Sequence, residues 1–176
     1  MKVLVLNGSH RKNGNCDLFC KTICGLIKQK HNVIAYNIAD QFIRRCNGCL
    51  VCEENEGCPL IDDYSMHIRQ SFIDSDIILF ATPTYFNMPS SAVVNLIDRT
   101  NDLCDYFAEN SKKVITFISG QTDDDSLNDT YRCLKTYYDI MGFSEILPPI
   151  LHIARFQTPV DSAVIESVEN ALGLRN

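Results

Sequence analysis

The sequence predicts an α/β three-layer sandwich: a five-stranded parallel sheet in the order 2-1-3-4-5, with helices on both faces. Three observations lead there. Residues 3–6 and 77–81 are short unbroken apolar runs, and 114–118 is a similar run interrupted by Thr116, the pattern of strands buried on both faces. Stretches with helical periodicity separate them, so strands and helices alternate, as parallel sheets require. Each run stops at a polar segment carrying Gly, Pro or Ser. In such sheets ligands bind beyond the carboxyl ends of the strands, where the strand order reverses. The loops after strands one, three and four are therefore expected to converge on one site.

The first strand ends at Asn7-Gly8-Ser9, and after a polar loop Asn15 opens an amphipathic helix over about 16–30. A buried strand, a Gly-containing loop and a helix start make an anion site, because the first helical N–H groups lack partners and the helix dipole favours negative charge. Gly8 and Gly14 allow close backbone approach. Ser9, Asn13 and Asn15 offer hydrogen bonds, and Arg11 or Lys12 offers positive charge. The loop is neither a Walker loop nor a G-x-G-x-x-G fingerprint. The bland alternative is an ordinary turn between strand and helix.

Residues 32–38 alternate as a second strand, followed by a polar, cysteine-rich segment at about 40–62. A connection of that length is unusual and points to function. A helix fits 63–74, with Asp62 as its cap. The third strand ends at Thr82-Pro83-Thr84-Tyr85-Phe86-Asn87-Met88-Pro89. Here prolines stiffen the loop, Tyr85 and Phe86 offer flat apolar faces, and Asn87 offers donors. Ser90 or Ser91 caps a long helix reaching about Phe107. The fourth strand ends at Ser119-Gly120-Gln121-Thr122. A helix over 126–141 stops at Gly142, a good C-terminal cap. Residues 143–151 read as a fifth, Pro-interrupted strand. Thr158-Pro159 starts a last helix ending near Leu172.

The chain of 176 residues has room for one domain, taken as 1–176, and its 45% hydrophobic content suffices for a full core. No apolar run approaches the roughly 20 residues that span a bilayer, and the N-terminus enters a strand directly. A cytoplasmic protein without a membrane partner is expected. A formal charge of −6 argues against nucleic acid. His10, His31, His67 and His152 are scattered, so no acid–base or nucleophile constellation emerges and no catalytic side chain is assigned.

Nine cysteines is a high count, and in a reducing compartment they read as thiols, metal ligands or redox groups. Cys16, Cys20 and Cys24 repeat every fourth residue, and with Cys104 and Cys133 they read as buried helix faces. The other four, Cys46, Cys49, Cys52 and Cys58, form C-x2-C-x2-C-x5-C followed by Pro59. The first spacings and the proline match a bacterial ferredoxin run. Zinc prefers two well-separated C-x2-C knuckles. Gly48 and Gly57 supply tight turns, and Arg44 and Arg45 could offset a cluster's negative charge. Free thiols or one redox disulfide in a cysteine-rich cap remain the alternative.

These motifs carry a resemblance. The stretch "GSHRKNGN" resembles the GSxRxxGN phosphate loop of the flavodoxin-like NAD(P)H-dependent flavin reductases. "PTYFNMPSS…NLIDR" is similar to that family's P-x-Y…(P)S…IDR block, and residues 119–122 occupy its third flavin loop. Cys16 stands where the family usually carries Ser or Thr, and a thiol is a poorer phosphate donor. Gln121 replaces a frequent second glycine. Asp98-Arg99 reads as an ion pair tying helix to loop. The four-cysteine spacing resembles the iron–sulfur flavoproteins, a branch of the same superfamily. The resemblance implies FMN held by Ser9, Arg11, Asn13, Gly14, Asn15 and Cys16, by Pro83, Thr84, Tyr85, Phe86, Asn87 and Met88, and by Ser119, Gly120 and Gln121. It also implies NAD(P)H as reductant, a [4Fe–4S] cluster on Cys46, Cys49, Cys52 and Cys58, and a homodimer or tetramer with flavin near an interface. Electrons would pass to a small-molecule acceptor such as a quinone or flavin, directly or through the cluster. A flavodoxin-like carrier serving a redox protein, or a flavin- or metal-sensing module, is the competing expectation. If a cluster binds, it is expected near the flavin, with the cysteine segment folded over it or onto a neighbouring subunit.

Overall fold

The computed structural model describes residues 1–55, 57–155 and 157–174. Strand β1 (Lys2–Asn7) leads into α1 (Asn15–Ile27) and β2 (Asn32–Asn37). The cysteine segment holds one helical turn, α2 (Val51–Glu54). A π-helical stretch, Tyr64–Ile68, runs into α3 (Arg69–Asp74), followed by β3 (Ile77–Tyr85) and β4 (Met88–Pro89). Then come α4 (Ser91–Arg99), a 3₁₀ turn (Thr100–Leu103), α5 (Cys104–Glu109) and β5 (Lys113–Gly120). The C-terminal part comprises α6 (Asp124–Ile140), β6 (Ser144–Glu145), β7 (Ile150–Ile153) and α7 (Ser162–Ala171).

The sheet runs β2-β1-β3-β5-β6, with β7 also on β5 and β4 paired to β3. This is the flavodoxin-like order expected, with two additions among its seven strands. The fifth strand is split in two, because Pro148 and Pro149 cannot donate to the ladder and separate β6 from β7. The loop after β3 folds back as a hairpin through Phe86 and Asn87, both left-handed with φ of 50° and 59°. That pair of positive angles is the two-residue hairpin turn that follows strand twist.

β1, β3 and β5 are buried on both faces. One core layer joins Leu4, Leu6, Phe80 and Ile118 to Tyr64, Phe72, Leu96, Leu134 and Tyr138. The other joins Val3, Val5, Leu79 and Phe117 to Cys16, Phe19, Ile23 and Val168, with the Phe19 and Phe117 rings stacked at 4.0 Å. Cys16, Cys20 and Cys24 pack in this second layer.

Three element boundaries depart from expectation for local reasons. The helix expected to reach Phe107 breaks at Thr100, whose hydroxyl donates to the Ile97 carbonyl at 2.7 Å and loosens the turn. α1 ends at Ile27 rather than Lys30. The last helix starts at Ser162, because Asp161 rather than Thr158 accepts from the first turn.

Candidate functional site

The parallel register brings the ends of β1, β3 and β5 together, with Asn7 opposite Ala81 and Pro83 opposite Ser119. The loops are then tied across the sheet. Gly8 N–H donates to the Ala81 carbonyl at 2.8 Å. Ser90 caps α4 by accepting from Val93 N–H, and its hydroxyl donates to the Gly8 carbonyl at 2.6 Å. Thr82 Oγ1 accepts from Ser90 N–H at 3.0 Å. A cleft of about 370 Å³ opens above these ties, within the range of small-molecule sites.

Eleven of the residues assigned from the sequence line this cleft. Ser9, Arg11, Gly14, Asn15 and Cys16 form one wall, Pro83, Thr84 and Tyr85 a second, and Ser119, Gly120 and Gln121 a third. Gly14 is the N-cap of α1, and no side chain caps that helix. Its first-turn N–H groups are therefore available to an anion. Gly120 is required by close packing: a Cβ there would sit 2.5 Å from Thr84 Cγ2 and 3.1 Å from Leu127 Cδ2.

Four assigned residues lie outside the cleft lining. Asn13, left-handed at φ 59°, accepts a hydrogen bond from Lys21 at 3.1 Å. Phe86 is fully exposed at the hairpin tip. Asn87 donates to Asp129 on α6 at 3.0 Å, and Met88 meets Cys133. Gly8 does not face a ligand either, since its missing side chain leaves room for Val93 and Ser90. The cleft also contains Ala154 and Arg155, which sequence reasoning missed. Their signal was the register of β7, not any local motif.

Two chemical details qualify the loop. Burial pushes the Cys16 thiol up to about 12, so it remains a neutral, weak donor. Asn15 spends its side chain within the protein: Nδ2 donates to Ser119 Oγ (3.1 Å) and to the Arg155 carbonyl (3.0 Å), and Oδ1 accepts from Thr158 N–H (3.0 Å).

The cysteine segment takes a separate place. It starts at the same sheet end, with Gln41 and Arg45 beside His10, then follows α4 to its far end. Cys46, Cys49, Cys52 and Cys58 line a second cavity of about 490 Å³, closed by Ile97, Asn101, Tyr137 and Met141. Among the described residues that cavity and the cleft have no lining residue in common, so the described part of the segment does not line the cleft. Gly48 and Gly57 make the expected turns, at φ of 64° and 91°. Cys104 lines the same cavity, and Asn101 Nδ2 donates to Cys52 Sγ at 3.6 Å. All nine cysteines are free thiols. Among the described residues, no three Cys, His, Asp or Glu side chains stand close enough to hold a metal ion. Cys46 and Cys49 are exposed, whereas Cys58 is half-buried with its N–H donating to Asp102 at 3.2 Å.

The ion pair expected at Asp98-Arg99 has a different acid. Arg99 is fully buried and pairs with buried Asp62, while Asp98 is exposed. Its guanidinium also donates to the carbonyls of Arg44 (2.8 Å) and Leu60 (3.3 Å) and lies over the Tyr64 ring. One side chain thus holds both ends of the cysteine loop. Asp62 caps as expected, accepting from Ser65 N–H at 3.2 Å.

Comparison with known proteins agrees with this fold. Among sequence relatives, an iron–sulfur flavoprotein of Methanocaldococcus jannaschii is 32% identical over 104 residues, covering 58% of this chain and 53% of that protein. One from Archaeoglobus fulgidus is 32% identical over 100 residues, covering 57% and 49%. The chain thus spans about half the length of these relatives. Among solved structures, an NADH:FMN oxidoreductase superposes with a TM-score of 0.67 at 13% identity, covering 98% of this chain and 87% of that one, which is likeness of fold. The family model for NADPH-dependent FMN reductase matches residues 1–158. The chain belongs to the NADPH-dependent FMN reductase family.

Proposed function

We propose that this protein is an FMN-dependent oxidoreductase that takes hydride from NAD(P)H and hands electrons to a small acceptor of the quinone or flavin type. The observation that carries the reading is the convergence of three loops on one cleft whose floor is an uncapped helix start. The donor set fits FMN. First-turn N–H groups, Ser9 and Arg11 suit a phosphate, and Tyr85 with the backbone of 119–121 suits a ring edge. Bound FMN supplies hydride acceptance at N5 and onward electron transfer. The residues bind and orient it, and the Thr84 and Thr130 hydroxyls, bonded at 2.5 Å, fix the second loop to α6.

We also propose that Cys46, Cys49, Cys52 and Cys58 hold a [4Fe–4S] cluster. The support is a donor set of four thiols lining one cavity, with Cys46 and Cys49 exposed. The relatives named as iron–sulfur flavoproteins point the same way.

The test is one rapid-mixing experiment on anaerobically purified protein. FMN absorbance should bleach with NADH or NADPH at a rate that saturates with nicotinamide. Bleaching only by dithionite or a reduced protein donor would make this an electron carrier. Iron and sulfide assays on the same sample test the cluster, with about four irons per chain expected.

A further inference from the structure

Arg155 belongs to no motif, yet the fold delivers it to the flavin cleft. β7 lies on β5 with Ser119 opposite His152 and Gly120 opposite Ile153. Ala154 N–H continues the ladder by donating to the Gly120 carbonyl at 2.9 Å. The next residue therefore enters the cleft beside the third loop, facing the helix start that carries Gly14 and Asn15.

The backbone there is held from both sides. Asn15 Nδ2 donates to the carbonyls of Arg155 (3.0 Å) and Ala154 (3.5 Å), and Asn15 Oδ1 accepts from Thr158 N–H. Thr158 Oγ1 donates to the same Arg155 carbonyl at 3.0 Å. An amide of the first loop thus straps the chain after β7 onto the cleft. What the strap leaves unused is the Arg155 side chain. It lines the cleft with Arg11, is exposed, and has no ion pair with a carboxylate among the described residues. In a chain of net charge −6, an arginine without an acidic partner beside an uncapped helix start is placed to meet an anion.

We propose that Arg155 is a cationic contact to the phosphate of FMN, supplied by the strand after the family's three flavin loops, and that Asn15 is the positioning residue that holds it there. The inference rests on the reading of this cleft as the FMN site. It assigns the cleft two arginines from opposite ends of the chain, Arg11 and Arg155, so phosphate recognition depends on the strap being closed.

The experiment is a fluorescence titration of flavin-stripped full-length protein with FMN and, separately, with riboflavin, which lacks the phosphate. Arg155→Ala should weaken FMN binding roughly tenfold or more, as loss of a charge-assisted contact does, with riboflavin binding changed less than threefold. Arg155→Lys should recover part of the loss. The salt dependence of FMN binding should flatten in Arg155→Ala. Asn15→Ala should weaken FMN similarly, and Asn15→Ala/Arg155→Ala should be no more than threefold weaker than Asn15→Ala alone, because the two act as one unit. Equal losses for FMN and riboflavin, or no loss for either, would overturn the role of Arg155. Fully additive losses would overturn the strap. Wild-type protein that binds neither flavin would remove the FMN reading itself, and this inference with it.

Discussion

Replacing Asp62 by Asn tests the device that fixes the cysteine loop. Arg99 is fully buried, and among the described residues Asp62 is the carboxylate that pairs with it. The asparagine keeps the size and one acceptor oxygen but leaves a guanidinium charge in a dry site. Breaking a buried pair in this way costs about 3–5 kcal/mol. For a chain of this size each kcal/mol moves Tm by about 2–4 °C, so a drop of roughly 6–20 °C is expected. Urea unfolding should show the loss as a lower midpoint with unchanged slope. The pH dependence gives a second reading. Burial alone would raise the Asp62 carboxyl, but the Arg99 hydrogen bond, the N–H groups of Arg44 and Ser65, and the Arg99 charge outweigh it and hold it below the usual carboxylate range. A depressed folded pKa stabilises the protein above the unfolded value, about 3.9, and that stability is lost as pH falls through the folded value. Wild-type protein should therefore lose stability below about pH 4 through this group, and Asp62→Asn should lose less on acidification. A cost under about 1 kcal/mol at pH 7, well short of the value for a buried pair, or an unchanged acid limb, would refute the argument.

Gly120→Ala should cut FMN affinity at least tenfold in a fluorescence titration, because its Cβ would collide with Thr84 and Leu127 and force the second and third loops apart. Phe86→Asn should stabilise the protein by about 1 kcal/mol in thermal unfolding, since asparagine tolerates the left-handed angles that a bulky side chain resists. A loss of stability would mean that the exposed ring is packed against something in solution. Cys49→Ser or Cys52→Ser should abolish bound iron after anaerobic reconstitution while FMN binding stays within twofold, and iron at background in the wild type would leave a plain flavin protein.

The strands and the cleft were legible because their signals are local. Buried parallel strands are mostly apolar runs, and a helix start after a polar, glycine-containing loop offers unpartnered N–H groups that suit an anion. The loops' convergence followed from strand order, which alternation alone implies. What stayed hidden is register. Nothing near Arg155 marks it as a cleft residue, because its place depends on β7 pairing with β5 two residues before it. The same holds for Arg99: an adjacent acid suggested a local pair, but successive helix residues point apart, so the partner came from Asp62, 37 positions away. The hairpin at Phe86 was also hidden, since its sequence lacks the Asn-Gly pair that usually marks such a turn. Asn15 lines the cleft as read, and its side chain also straps the chain after β7, whose partners the sequence could not reveal.

The two sites lie at opposite ends of the helices that join them. α4 begins at Ser90, bonded to Gly8 beside the cleft, and ends at Arg99 beside the cysteine cavity. Nine helical residues rise about 13 Å. α6 tells the same story: it is capped by Asp123 just after the third loop, and its last turn, with Tyr137, Ile140 and Met141, walls the cysteine cavity. Its seventeen residues rise about 25 Å. A lid over the flavin would have to share residues with the cleft, and this segment shares none among the described residues. The described cysteines therefore line a different surface from the cleft. Changes to the cysteine ligands should leave FMN affinity alone, and changes to Gly120 or Arg155 should leave iron alone. Coupled losses at both sites would require a contact between them that the described residues of one chain do not make.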